Sequence, residues 1–272
     1  MKKTMKPGTR VLLTFAVMLF LTCLLNGLFG SPKSWFYTYD GLDEQKPLET
    51  NTYVKDAFYT VVGRIYYEDE GYTSLCGVDV SSYQGEIRWE ELAADNVDFA
   101  IIRLGYRGYL DGQLVLDPAY EKNIEGARKS GMLAGVYFFS QATTVEEAIE
   151  EAEFVLENIR WKGVKGPVAF DMEYVQGATR INSLTVEEKT EIADAFCDTI
   201  ESHGYDAMIY GNTHWLTEDI DQTWLTDHGV WLAHYTYDTK YPFAFDMWQY
   251  MDWGRVAGID GNADLNVWII EK

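Results

Sequence analysis

The chain has 272 residues, 47% of them hydrophobic and 15% aromatic, enough to bury one large core or two small ones and too apolar for a disordered segment. Its formal net charge is −21. Residues 1–30 carry Lys2, Lys3, Lys6 and Arg10 and no acid, so the remainder holds 18 basic against 43 acidic residues, a net of −25 that repels phosphate backbones and excludes nucleic acid as a natural partner.

The basic residues up to Arg10 precede Val11–Phe29, VLLTFAVMLFLTCLLNGLF. At ~1.5 Å per residue a helix of this length crosses a ~30 Å hydrocarbon core. The flanking cations hold its N-terminal side in the cytoplasm and send the rest of the chain outward. The expected organisation is therefore a cytoplasmic tail over 1–10 and a transmembrane signal-anchor over 11–30. The cell membrane, in single pass, is the expected location. Secretion after cleavage is the alternative, although the residues after Leu25 fit a small-x-small cleavage site poorly. Residues 31–74 are polar and acidic but hold Trp35, Phe36, Tyr37, Tyr39, Phe58, Tyr59, Tyr66 and Tyr67. They read as a membrane-proximal stalk in which Phe58–Tyr67 can form an element that packs on the main domain.

From Leu75 to Lys272 the pattern becomes regular. Leu75–Val80 is a short apolar strand and Trp89, Leu92 and Ala93 mark a short helix. Phe99–Leu104 is a second strand. Asp117-Pro118 starts a helix that stops at Gly131. Leu133–Phe139 is a third strand, and Thr144 with Glu147 predicts a capping box for a helix ending near Ile159. Val168–Phe170 leads a fourth strand, and Thr185 with Glu188 predicts a second capping box. Further strands follow at Ala207–Tyr210, Val230–His234, Ala244–Trp248 and Leu265–Ile270. Near-continuous apolar strands alternating with helices belong to parallel sheets covered on both faces. Eight of them in about 200 residues predict an α/β, TIM-like (β/α) barrel, poorer in helix toward its C-terminal end, with its chemistry at the C-terminal ends of the strands. Of three cysteines, Cys23 lies in the apolar N-terminal run, while Cys76 and Cys197 fall on separate elements and are expected as buried free thiols.

The candidate site gathers at those strand ends. In an extended strand residues i and i+2 share a face, so Asp171 and Glu173 stand side by side at the end of an apolar strand. Two carboxyls held so close push each other's pKa values apart, which leaves one able to donate a proton while the other stays anionic. Hydrolysis of a glycosidic bond needs that pairing. Around them the pattern places Asp79 near the end of the first strand, Arg103 and Tyr106 after the second, Tyr137 within the third and Tyr210 ending the fifth. Tyr235 ends the sixth strand and Trp248 and Gln249 the seventh, while Asp264 precedes the eighth and can reach the mouth from the opposite side. Each residue has a bland alternative: Asp79 capping a turn, the tyrosines filling the barrel, His234 a core histidine. The convergence carries the reading. No His/Cys set with ligand spacing and no Gly-rich phosphate loop is present, so neither metal nor organic cofactor is expected beyond an incidental hard cation.

In this order the segments GVDVSSYQGEIRW, DFAIIRLGYRG, GVYFFSQATTVEEAIEEA, GPVAFDMEY, MIYGN, VWLAHY, WQY and GIDGNADLNVW resemble glycoside hydrolase family 25, the Chalaropsis-type lysozymes or N-acetylmuramidases. The resemblance covers about Leu75 to Lys272. It implies a flattened barrel with fewer helices than strands. The activity it implies is cleavage of the β-1,4 bond between N-acetylmuramic acid and N-acetylglucosamine in peptidoglycan. It also implies Glu173 as general acid, Asp171 as its partner, and Asp79 and Asp264 as the two further acids of the cleft, with no departure at these four positions. The partner it implies is the peptidoglycan glycan strand; the lipid bilayer is expected from the N-terminal helix alone, which lies outside the resemblance, and the catalytic domain is expected as a monomer. A barrel that binds glycan without cleaving it, and a hydrolase of chitin-like N-acetylglucosamine polymers, are the alternatives.

Overall fold

The computed structural model describes residues 38–272. The basic tail and the expected membrane segment lie outside the described residues. Among the described residues no helix is long and apolar enough to cross a membrane.

In chain order the elements are β1 (Phe58–Val61), β2 (Arg64–Tyr67), β3 (Tyr72–Val80), α1 (Trp89–Ala94), β4 (Phe99–Arg107), β5 (Leu114–Leu116), α2 (Tyr120–Lys129), β6 (Leu133–Ser140) and α3 (Val145–Ile159). They continue with β7 (Val168–Met172), α4 (Val186–Ser202), β8 (Ala207–Asn212), β9 (Gly229–Ala233), β10 (Met247–Gly254) and β11 (Ala263–Glu271). Hydrogen bonding runs β3-β11-β10-β9-β8-β7-β6-β4, and β3 also pairs with β4, so these eight strands close into a barrel. β5 adds to β4 beyond a register shift between Arg103 and Gly105. Among the described residues, α-helices follow only the earlier strands, as the helix-poor pattern after residue 207 predicts.

Seven of the eight strands run parallel, and β11 runs antiparallel to both of its neighbours. The cause is the short link from Gly254 to Ala263. A parallel return needs a crossover of a dozen or more residues, whereas a short link can only reverse the chain. The reversal brings the start of β11 to the mouth where the other strands end, and Asp264 lies directly opposite Asp79 in the ladder. Asp264 therefore sits within the strand rather than before it.

Period-two alternation separates two cores. Inside the barrel Phe99, Ile101, Ala169, Met208, Trp231 and Met247 pack together with Leu75, Leu133 and Trp268. The ring of Phe99 covers Gly77, where a Cβ would meet it at 2.2 Å. Outside, Val78, Ile102, Val136, Phe170 and Leu232 join the apolar faces of the helices. The capping box at the start of α4 forms as expected between Thr185 and Glu188. At α3 half of the expected box is made: Thr144 accepts from the Glu147 amide, but the Glu147 carboxylate takes the Thr143 amide and the Arg180 guanidinium. Cys76 and Cys197 are free and buried.

Two further expectations need correction. The seventh barrel strand is Met247–Gly254 rather than Ala244–Trp248. Because Gln249 points inward, Trp248 must point outward. The second correction concerns residues 39–74, which do not stand off as a stalk: Tyr39–Lys272 is one compact unit. Thr50 bridges to Phe243, the Tyr53 hydroxyl donates to the Phe245 carbonyl at 2.8 Å, and the β1–β2 hairpin brings Phe58 and Tyr67 against Tyr53. Trp248 closes this cluster, its ring 5.9 Å from Phe58 and 6.4 Å from Phe245. Packing in this cluster accounts for Tyr53, Phe58 and Tyr67, whereas Tyr59 stays exposed and stacks on Tyr66. Trp248, expected at the substrate cleft, belongs to the outer core instead.

Candidate active site

At the C-terminal mouth of the parallel strands a cavity of about 160 Å³ is lined by Asp79, Tyr137, Asp171, Glu173, Tyr210, Trp231, Tyr235, Gln249 and Asp264. β3 supplies Asp79, β6 Tyr137, β7 Asp171 with Glu173 just beyond it, β8 Tyr210, β9 Trp231, β10 Gln249 and β11 Asp264. A larger cavity of about 600 Å³ lies at the other end of the barrel, between the starts of β3 and β9 and the end of β11.

A hydrogen-bond network fixes the first acid. One Asp79 oxygen, Oδ2, accepts from Gln249 Nε2 and from Asn266 Nδ2, each at 2.8 Å. Gln249 is held in turn by two phenols, since Tyr210 and Tyr235 both donate to its Oε1, at 2.9 and 3.1 Å. Asn266 accepts from Trp231 Nε1 at 2.8 Å. Both side-chain amides of this network have their orientation set by a neighbour, and both end by donating to Asp79. Donation favours the carboxylate, but burial outweighs it and lifts Asp79 to about 6.

The Asp171–Glu173 pair is raised in the same direction, with less donation to offset burial. Asp171 is almost wholly buried, and its Oδ1 has no hydrogen-bond partner. Burial, then the neighbouring charge of Glu173, hold its pKa well above the ordinary carboxylate range. Glu173 is half-buried and also raised by burial, against a hydrogen bond from Asp171. Asp264 is lifted to about 8 by burial and then by the charges of Asp79 and Asp252. All four carboxyls of the cavity are raised above the ordinary range, and Asp264 keeps its proton to a higher pH than an isolated acid does. The phenols of Tyr137 and Tyr210 are likewise pushed up by burial and remain donors.

Arg103 and Tyr106 take a different place from the one expected and do not line this cavity. Arg103 Nε donates to Asp117 Oδ2 at 2.8 Å and Nη2 to Ser82 Oγ at 3.2 Å, with the guanidinium 4.9 Å from the Tyr83 ring and 5.6 Å from that of Tyr106. Its charge still pulls Asp171 and Tyr137 downward. Two lining or supporting residues escaped the sequence reading. Asn266 stands two positions after Asp264, on the same face of β11, and Trp231 two before Ala233 on β9. The period-two rule applied to those strands would have found both.

Residues 78–259 match the sequence model of the Glycosyl hydrolases family 25, which is well over half of the chain. The chain belongs to this family. It is 24% identical over 191 residues to the autolytic lysozyme of Clostridium acetobutylicum, covering 70% of this chain and 54% of that one. To Lysozyme M1 of Streptomyces globisporus it is 25% identical over 208 residues, 70% of this chain and 66% of that protein. The modular autolysin LytC from Streptococcus pneumoniae, solved in complex with a synthetic peptidoglycan ligand, superposes with a TM-score of 0.64 at 24% identity. That match covers 78% of this chain and 52% of LytC, and shows the shared fold. The chain thus spans about half the length of LytC and of the autolytic lysozyme. It is a glycoside hydrolase of family 25 with a closed eight-stranded barrel.

The raised carboxyls of this hydrolase make its stability depend on pH. An acid whose folded pKa exceeds its unfolded value stabilises the fold below the unfolded pKa, and that contribution is lost as pH rises through the folded one. Asp79, from 3.8 to about 6, and Asp264, from 3.8 to about 8, set the window. Thermal unfolding should therefore show Tm falling from about pH 4 to about pH 8. Asp264→Asn should raise Tm at the upper end and flatten the fall. A variant whose profile overlies the wild type would contradict the burial assigned to Asp264.

Proposed function

We propose that the chain is a peptidoglycan hydrolase that cleaves the β-1,4 bond between N-acetylmuramic acid and N-acetylglucosamine. The observation that carries the reading is the pair of raised carboxyls at the end of β7, facing Asp79 and Asp264 across one sugar-sized cavity. The names of the lysozyme relatives and the peptidoglycan ligand of LytC agree with it.

The Asp171–Glu173 pair holds its proton to a higher pH than isolated acids do, because burial opposes ionisation of both. Glu173 is the outer, half-buried member and so is the one able to reach a leaving-group oxygen. As the C1–O4 bond breaks, Glu173 transfers its proton to O4, and a water molecule then adds its hydroxyl to C1 and returns a proton to the pair, so that the site ends as it began. The free Asp171 Oδ1 is available to a polar group on the muramic acid side, where positive charge develops at the anomeric carbon. Asp79, held by Gln249 and Asn266, adds a fixed negative end to the cleft. Asp264 and the phenols of Tyr137, Tyr210 and Tyr235 bind sugar hydroxyl and acetamido groups, and the face of Trp231 closes the floor.

Around the barrel, the reading places Val11–Phe29 in a bilayer with the basic tail inside and a single, monomeric catalytic unit outside. The support is the apolar length of that stretch and the Lys2, Lys3, Lys6 and Arg10 before it. Release of the chain by cleavage is the other arm.

Digestion of purified peptidoglycan followed by borohydride reduction and mass analysis tests the bond assignment. Cleavage at this bond leaves muramic acid at the reducing end, so muramitol-terminated muropeptides are expected. Glucosaminitol ends, or release from chitooligosaccharides alone, would sink the proposal.

A further inference from the structure

The foot of the barrel carries a second cluster of chemistry-bearing groups that the hydrolytic site does not use. α4 places Asp194, Asp198 and Glu201 on one face at helical spacing, and His228 stands just before β9. His228 Nε2 lies 3.0 Å from Asp194 Oδ1 and 3.9 Å from Asp198 Oδ1. Its other nitrogen, Nδ1, lies 3.2 Å from Glu201 Oε1. The remaining Asp194 oxygen, Oδ2, accepts the Tyr39 hydroxyl at 2.8 Å. His228 and Asp194 are buried, while the Asp198 side chain is 35% exposed.

We propose that Asp194, Asp198 and His228 Nε2 form a binding site for a divalent cation of the zinc class. Their donor atoms lie within 4.8 Å of one another. A tetrahedral ion with bonds of about 2.0–2.1 Å keeps its donors roughly 3.3 Å apart, a spacing that falls between the two measured separations. The donor set is one imidazole and two carboxylates, which suits zinc, whereas magnesium and calcium favour oxygen-only cages. The surroundings match what zinc ligands require. A ligating histidine donates its second ring N–H to a carboxylate, as His228 Nδ1 does to Glu201, and a ligating carboxylate is itself hydrogen-bonded, as Asp194 is by Tyr39. The exposed side of Asp198 provides the entry path and leaves the fourth position to water. On binding, the ion takes the Nε2 lone pair and any proton there leaves to solvent. Because Tyr39 is held by Asp194, the bound ion fastens the start of the described chain to α4 and β9.

The test uses the untagged chain, stripped with a chelator and dialysed. Zinc titration by calorimetry should give one equivalent bound, and cobalt(II) should give the visible absorption of a tetrahedral site. Glu201→Gln, acting only through His228, should weaken zinc by about 10–100-fold. Asp198→Asn should weaken it and bleach the tetrahedral cobalt spectrum. His228→Gln should abolish stoichiometric binding. Should that variant fail to fold, the two carboxylate variants carry the test, since both positions are partly exposed. Absence of a stoichiometric zinc or cobalt complex, or unchanged affinity in Asp198→Asn and Glu201→Gln, overturns the site and leaves the cluster as an imidazolium held among carboxylates.

Discussion

Glu173→Gln is expected to lower turnover of peptidoglycan by about 10²–10⁴-fold with the fold intact, since loss of a positioned general acid costs that much. Glutamine is nearly isosteric and keeps the hydrogen-bond contact with Asp171, but it has no proton to give. Muropeptide affinity should be little changed, so the loss should appear in kcat rather than KM. Burial has raised the wild-type Glu173 above its ordinary 4.5, so the alkaline limb of the wild-type kcat/KM profile should lie above that value. Release of muropeptides under single-turnover conditions, with circular dichroism as the control for folding, measures the effect. A variant within a few-fold of the wild type would remove Glu173 from the role of acid and point to Asp171, the more strongly raised of the pair.

The largest stability effect is expected far from the cleft, at Arg107. Its guanidinium is 3% exposed and joins the end of β4 to α3: Nε donates to Glu151 Oε1 at 2.7 Å, and Nη2 to Glu150 Oε2 and to the Glu147 carbonyl, each at 2.8 Å. Nη1 donates to the Gly112 carbonyl at 2.8 Å. Glu151 is fully buried, and its other oxygen has no partner. Arg107→Met leaves that acid without its cation, and removing one member of a buried pair costs about 3–5 kcal/mol. The sign of the pH dependence follows from Glu151. Burial has already pushed it up to about 7 from 4.5, so its favourable protonation is lost as pH rises through that range. The loss measured by urea unfolding should accordingly be larger near pH 8 than near pH 5. Adding Glu151→Leu to Arg107→Met should recover most of it, because two apolar partners replace a buried pair at little cost. A loss under about 1 kcal/mol at pH 8 would show that the guanidinium is not what holds α3 to β4.

Much of the site was legible wherever a local rule governs. Asp171 and Glu173 share an orientation because strand periodicity is two, and the inward set Asp79, Tyr137, Tyr210 and Gln249 follows from the same rule. The start of α4 was legible because both halves of its capping box lie within four residues. Trp248 was misplaced because its strand begins three residues later than the apolar run suggests, and an error of one residue exchanges the two faces. Arg107 gave no signal of its role, since its partners on α3 lie 40 to 44 residues away in the chain.

What the amino-acid order decided by itself was which residues alternate, which segments are apolar on both faces, and where acids end strands, because these are short-range properties of backbone geometry. Tertiary structure decided the rest. The reversal of β11, forced by its short link to β10, put Asp264 beside Asp79 although 185 positions separate them in the chain. Burial of the four carboxyls in a single cavity, which no stretch of sequence contains, raised their pKa values. Tyr53 and Phe58 found their place only against Phe245 and Trp248, because apolar surface is buried by whatever partner the closed barrel presents.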